Sequence, residues 1–132
     1  MKKISQALIS VSDKHNLKKI LTVLKKFGIK IISSGGTFKE IKKHGFKCNE
    51  VSNFTKFPEM LDGRVKTLHP KIHAGILNER NKKSHKLAMK FYNFENIDLV
   101  IVNFYPFEKV VNENANHNKI IENIDIGGPT MV

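Results

Sequence analysis

Cysteine is nearly absent. Cys48 is the only one in 132 residues, which excludes an internal disulfide and fits a reducing cytoplasm. Arginine is almost as scarce: Lys and Arg together number 23, yet only Arg64 and Arg80 are arginines. Lysine carries the remaining positive charge and is scattered with Asn and Ile along the whole chain. That dispersion argues against a dedicated nucleic-acid face, which would gather its basic residues on one element. No apolar run approaches the length of a membrane span. Ile4–Ser10, behind Lys2 and Lys3, is too short and polar for the core of a signal peptide. The sequence also lacks an internal repeat, a low-complexity tail and a linker, and it reads as one soluble cytoplasmic domain.

What is present is ordinary in amount and unusual in sign. Hydrophobic residues make up 40% and charged residues 27%, as in a typical globular domain with a single core. Acidic residues number 12 against 23 basic ones, giving a formal net charge of +11, which predicts attraction to anions. Ala7–Ser12 reads as a buried strand rich in β-branched residues. Asp13 is placed to cap a helix carrying Leu17, Ile20, Leu21, Leu24 and Phe27, with Gly28 ending it. Ile29–Ser33 reads as a second strand. Gly35-Gly36 leads into a second helix that stops at Gly45, and Phe46–Val51 reads as a third strand. This alternation predicts an α/β fold with a parallel-rich sheet flanked by helices.

Residues 52–71 read as irregular, punctuated by Pro58, Gly63 and Pro70. Ile72–Leu77 is expected to re-enter the sheet. Residues 82–92 read as a surface helix, Ile97–Asn103 as the clearest buried strand, and residues 117–123 as a weak helix.

Open parallel sheets bind ligands beyond the carboxyl ends of their strands, and three predicted strand ends carry suitable groups. Ser10, Ser12 and Lys14 end the first. Ser33, Ser34, Gly35, Gly36 and Thr37 end the second, where bared N–H groups at a helix start make a phosphate cradle, although Walker A spacing is absent. Asn103 and Tyr105 end the late strand. Between them lies Asp62-Gly63-Arg64-Val65-Lys66-Thr67-Leu68-His69-Pro70. An extended reading puts Arg64, Lys66 and Leu68 on one face and Val65, Thr67 and His69 on the other. The choice of arginine at position 64 suggests a forked contact with a carboxylate or phosphate. His69 and His73 have metal-ligand spacing, but Pro70 between them and the missing Glu argue against zinc; His69 reads as structural or proton-handling. Cys48 reads as a structural thiol. Asp125 precedes Gly127-Gly128, where a ligand can approach the backbone closely or where Asp simply forms a turn.

Taken in order, Ser10–Lys14, Ser33–Thr37, the long block Phe57–Leu77, Asn103–Phe107 and Ile124–Gly128 closely resemble the N-terminal IMP cyclohydrolase domain of PurH-type bifunctional purine biosynthesis proteins. The resemblance covers residues 4–132 and implies a methylglyoxal-synthase-like three-layer fold. It implies dehydrative closure of the formamido-imidazole-carboxamide ribonucleotide (FAICAR) to IMP, with no cofactor and no metal. It implies catalytic Lys66, Tyr105 and Asp125. The implied substrate-binding set is Ser10, Ser12, Asp13, Lys14, Ser34, Gly35, Gly36, Thr37, Arg64, Val65, Thr67, Asn103, Phe104, Ile126 and Gly127. The partners implied are FAICAR and IMP, without a membrane or a specific nucleic acid, and a homodimer is compatible. Such proteins continue into a formyltransferase domain absent from residues 1–132, and carry a catalytic lysine beyond the Gly-Gly-Pro turn, so the chain reads as a domain truncated at its C-terminal end. Three alternatives stay open: another phosphate-binding domain of the same fold, a basic nucleic-acid module, and a fragment that binds nucleotide without turning it over.

Overall fold

The computed structural model describes residues 3–113 and 115–132. Four parallel strands form the sheet: β1 (Gln6–Ser10), β2 (Lys30–Ser33), β3 (Asn49–Glu50) and β4 (Leu99–Val102), in the order β3-β2-β1-β4. The chain builds outward on one side of β1 and then crosses to the other, so β1 and β4 flank a reversal of strand order. Crevices at such reversals are where open α/β sheets take their ligands.

Register explains the layers. Ala7 pairs with Ile31 and Leu99, and Leu8 with Ile32 and Val100, so alternate residues of neighbouring strands share a face. On one face Ala7, Ile9, Ile31, Leu99 and Ile101 pack with Leu17, Leu21 and Leu24 of α1 (Leu17–Lys26) and Ile41 of α2 (Gly35–Lys43). On the other, Leu8, Ile32, Val100 and Val102 meet Val51 and Phe54 of α3 (Val51–Thr55), Ile72 of α4 (Pro70–Leu77) and Met131. The result is an α/β sandwich of three layers. The remaining helices are α5 (Lys83–Phe91), α6 (Phe107–Asn112), α7 (His117–Glu122) and α8 (Gly127–Thr130).

Several local expectations are corrected. Ile72–Leu77 is helical, within α4, and does not re-enter the sheet. Pro70, read as a stop signal, occupies the first helical turn, where its missing N–H costs nothing, and Nδ1 of His69 caps the helix by accepting from Lys71 N at 3.1 Å. The third strand shrinks to Asn49–Glu50, with α3 taking over at Val51, the last residue read as strand, and running into the stretch read as irregular. α1 starts at Leu17 with no side-chain cap; Asp13 instead accepts from His15 N at 2.9 Å, closing a tight turn after β1. β4 is an edge strand of intermediate burial, whereas β1, enclosed by β2 and β4, holds the deepest residues.

The amino end of the sheet is clamped. Arg80 donates to the carbonyls of Asn78, Gly75 and Ile97 and to Asp98 Oδ1 at 2.9–3.3 Å. Ser5 gives Asp98 two more hydrogen bonds, from N and Oγ, at 3.0 and 2.7 Å. Desolvation alone would raise the Asp98 pKa, but the Ser5 bonds and the Arg80 charge together hold it below its usual 3.8. Cys48 is half-buried, and desolvation pushes its thiol up to about 12 against opposing attraction from Lys42.

Candidate active site

The carboxyl ends of β1, β2 and β4 open into a cleft of about 330 Å³. Of the residues expected there, Ser10, Ser12, Lys14, Ser34, Gly36, Thr37, Arg64, Lys66, Thr67, Asn103, Tyr105, Asp125, Ile126 and Gly127 line it. Four do not. Gly35 lies behind the wall against Lys66. Val65 is turned into a backbone bridge with Met60. Asp13 spends its carboxylate on its own turn, and Phe104 packs against Gly128. The cleft also takes in Glu122 and Ile124, which sequence reasoning missed. Glu122 meets its partner Arg64 across 58 residues, so no local spacing could have found it.

Much of the polar lining holds the site's own shape. Thr37, buried at 5% exposure, accepts from Val11 N and donates to Val11 O, at 3.0 and 2.9 Å. Asn103 accepts from the N–H groups of Ser12 and Asp13 and donates to Asp13 O, which locks the turn after β1 to the end of β4. Lys14 Nζ donates to Ser12 O at 2.9 Å. Asp125 Oδ1 accepts from Gly128 N at 2.9 Å and so holds the start of α8. The first N–H groups of α2 have no acceptor within their own helix, and Ser34, Gly36 and Thr37 line the cleft at that point.

The segment from Glu59 to His69 is a narrow loop closed by Met60 and Val65, which exchange two backbone hydrogen bonds. Leu61, Asp62 and Gly63 all have positive φ, at 52°, 53° and 86°. For Leu61 and Asp62 this conformation costs roughly 1–2 kcal/mol each. Strain of this kind collects at functional sites because the surroundings over-determine it. The loop also overrides the extended reading: Arg64 is in a helical conformation, and Arg64, Lys66 and Thr67 all face the cleft instead of alternating. Arg64 meets a carboxylate, Glu122, at the exposed rim, through one guanidinium nitrogen and not as a fork. Lys66 pairs with Glu59 at 3.2 Å.

His69 caps α4 through a ring nitrogen that must be unprotonated. Burial, then the Lys71 charge, lowers its pKa below 6.5 and keeps that acceptor available. Among the described residues, no three His, Cys, Asp or Glu side chains gather as a metal site, and no helix is long and apolar enough to cross a membrane.

The cleft does not share the charge bias of the whole chain. Lys14, Arg64 and Lys66 are matched in its lining by Asp62, Glu122 and Asp125. An anion would therefore be selected by where the cations and the α2 N–H groups stand, and much less by net charge.

Comparison with known proteins agrees with the α/β fold. The chain is 49% identical over 130 residues to the "Bifunctional purine biosynthesis protein PurH" of Agrobacterium fabrum, covering 98% of this chain and 24% of that protein. It is 52% identical over 130 residues to the protein of the same name from Acetivibrio thermocellus, covering 98% and 25%. It thus spans about a quarter of the length of these curated relatives. Among solved structures, the "Crystal structure of ForH" superposes with a TM-score of 0.78 at 30% identity, over 97% of this chain and 65% of that one. The MGS-like domain model matches residues 16–130, and the chain belongs to the MGS-like domain family.

Proposed function

We propose that this chain is an IMP cyclohydrolase domain, a cytoplasmic enzyme that closes FAICAR to IMP. The observation that carries the reading is convergence. Residues separated by up to 118 positions, from Ser10 at a strand end to Gly128 in α8, line one cleft in a chain about half identical to proteins named for purine biosynthesis. In this reading the formyltransferase activity belongs to the part of such bifunctional proteins that the chain does not span.

The chemistry asks for little beyond placement. The carboxamide nitrogen attacks the formyl carbon of the same molecule, forming the ring C–N bond. That nitrogen and the formamido nitrogen each give up one proton, and the formyl oxygen leaves as water. An amide nitrogen is a poor nucleophile, but the reaction is intramolecular, so holding a near-attack rotamer supplies much of the acceleration. Lys14 and the Ser34–Thr37 turn hold the 5′-phosphate. Arg64, Thr67, Asn103, Ile126 and Gly127 frame the rest of the nucleotide, with Ser10 and Ser12 beside the phosphate. Lys66 stabilises the oxyanion that develops at the formyl oxygen, Asp125 accepts or orients a proton, and Tyr105 assists. To do so, Asp125 exchanges its cap on Gly128 for the substrate, and no cofactor is required.

Calorimetry with IMP, followed by a cyclisation assay with FAICAR, tests the reading. Saturable, stoichiometric IMP binding and catalysed closure are expected, with Lys66→Ala lowering kcat more than IMP affinity. Saturable IMP binding without turnover would leave a nucleotide-binding domain. Absence of IMP binding would remove the reading altogether.

A further inference from the structure

Glu59 lies outside the cleft and outside every role assigned above, yet it touches the side chain on which the proposed chemistry depends. Met60 and Val65 form an antiparallel bridge by exchanging both backbone hydrogen bonds. The next pair outward is Glu59 and Lys66. Side chains of such a flanking, non-hydrogen-bonded pair stand closest together across two strands. Their charged ends are 3.2 Å apart. Glu59 reaches Lys66 from a small niche lined by Ser34, Glu50, Val51, Ser52, Phe57 and Pro58. Lys66 borders both spaces and Glu59 only the niche.

The surroundings require a counter-anion at this place. Lys66 Nζ lies against the first residue of α2, 2.7 Å from where a Cβ on Gly35 would stand. A cation beside the positive end of a helix dipole is disfavoured, so a carboxylate in contact with it offsets the repulsion. The loop is also shaped around the pair. A Cβ on Gly63 would run into Glu59 Oε1 and stand 2.8 Å from Lys66 Nζ, so any side chain at this position, where φ is 86°, would push the pair out of place.

We propose that Glu59 is a positioning residue, which holds the Lys66 ammonium at the cleft wall through a cross-strand ion pair and acts on substrate only through Lys66. The proposal rests on the cyclohydrolase reading for its kinetic consequence and on the geometry alone for the pairing.

The test is a double-mutant cycle with a chemical readout beside it. Glu59→Gln removes the charge and keeps the size; kcat for FAICAR should fall about tenfold, the usual scale for one charge-assisted contact, with little change in KM. Glu59→Asp should restore part of the loss. In a Lys66→Ala background, Glu59→Gln should cost nothing further. Separately, brief acetylation of the folded chain with acetic anhydride, read residue by residue by mass spectrometry, should show Lys66 modified several-fold faster in Glu59→Gln, measured against Lys71 as internal reference. An equal further loss of kcat in the Lys66→Ala background, or an unchanged Lys66-to-Lys71 labelling ratio, overturns the proposal. If the wild-type chain does not close FAICAR, the cyclohydrolase reading fails, and the labelling ratio still decides whether Glu59 holds Lys66.

Discussion

The two arginines sit at opposite ends of the sheet and are held in opposite ways. Arg80, at the amino end, shares its guanidinium among three carbonyls and Asp98, with 19% of its side chain exposed and Asp98 at 6%. Arg64, at the carboxyl end, meets one carboxylate with 53% of its side chain exposed. The first arrangement closes a seam between α4, β4 and the residue before β1. The second leaves a cation at the mouth of a cleft, beside a loop with three consecutive positive φ angles. A parallel sheet divides labour in this way because its amino ends can be sealed by packing, while helix N-termini and strand-end loops gather at its carboxyl ends.

The sharpest way to break the comparison is to remove each arginine in turn. Arg80→Ala leaves a nearly buried carboxylate without its cation, and breaking a buried pair from one side typically costs about 3–5 kcal/mol. Urea denaturation should show a loss of that order. Arg64→Ala should change stability by about 1 kcal/mol or less, as exposed pairs do. Comparable losses from the two variants would erase the distinction between a clamped end and an open one.

At the cleft the expected damage falls on binding and spares the fold. A Cβ on Gly36 would stand 3.9 Å from both Cε and Nζ of Lys14, an ordinary contact, so the branches of a valine would fill the space beside the lysine. Gly36→Val should weaken IMP by tenfold or more, since a charge-assisted phosphate contact is worth about 1.5–3 kcal/mol, while inosine binding stays nearly as weak as before. Calorimetry on the folded variant decides; unchanged IMP affinity would move the phosphate elsewhere.

The two ends should also respond to acid in different windows. His69 is held below its usual 6.5, so the stability it contributes is present above that value and is lost as pH falls through its folded-state pKa. Asp98 is held below its usual 3.8, so its contribution persists above that value and is lost only at still lower pH. Unfolding free energy followed from pH 8 downward should show a first decline near and below pH 6.5 that His69→Asn, which keeps a cap acceptor, removes. A second decline, below pH 3.8, should disappear in Asp98→Asn. A single decline unaffected by both variants would assign the acid response elsewhere. The effect that touches neither stability nor binding is chemical: with its thiol pushed up to about 12, Cys48 should react with iodoacetamide at pH 8 far more slowly than free cysteine.

Short-range patterns carried much of this into the sequence. Leu17, Leu21 and Leu24 recur at helical spacing because one helix face must meet the sheet, and they are buried at 0–4% exposure. The apolar run within Ala7–Ser12 could be read as an interior strand because both of its faces are covered. The strand-end groups of Ser10–Lys14, Ser34–Thr37 and Asn103–Tyr105 were legible because a parallel sheet brings all its carboxyl ends to one side. Ile72–Leu77 was misread because a short apolar run has no period of its own; the deciding fact is a histidine cap and a proline before it, locally weak signals that packing of Ile72 against Val51 and Phe54 makes decisive.

What only the tertiary structure decided are the pairings across sequence. Arg64 with Glu122, Arg80 with Asp98 and Asn103 with the turn at Ser12 and Asp13 join residues 18 to 91 positions apart. Glu59 with Lys66 depends on a bridge between Met60 and Val65 that no periodicity announces. Sequence patterns record which face of an element is apolar, since burial acts on each residue nearly independently. Ion pairs and hydrogen bonds act only at contact distance, so their partners are chosen when the chain closes its loops, and there alone the cleft acquires its geometry.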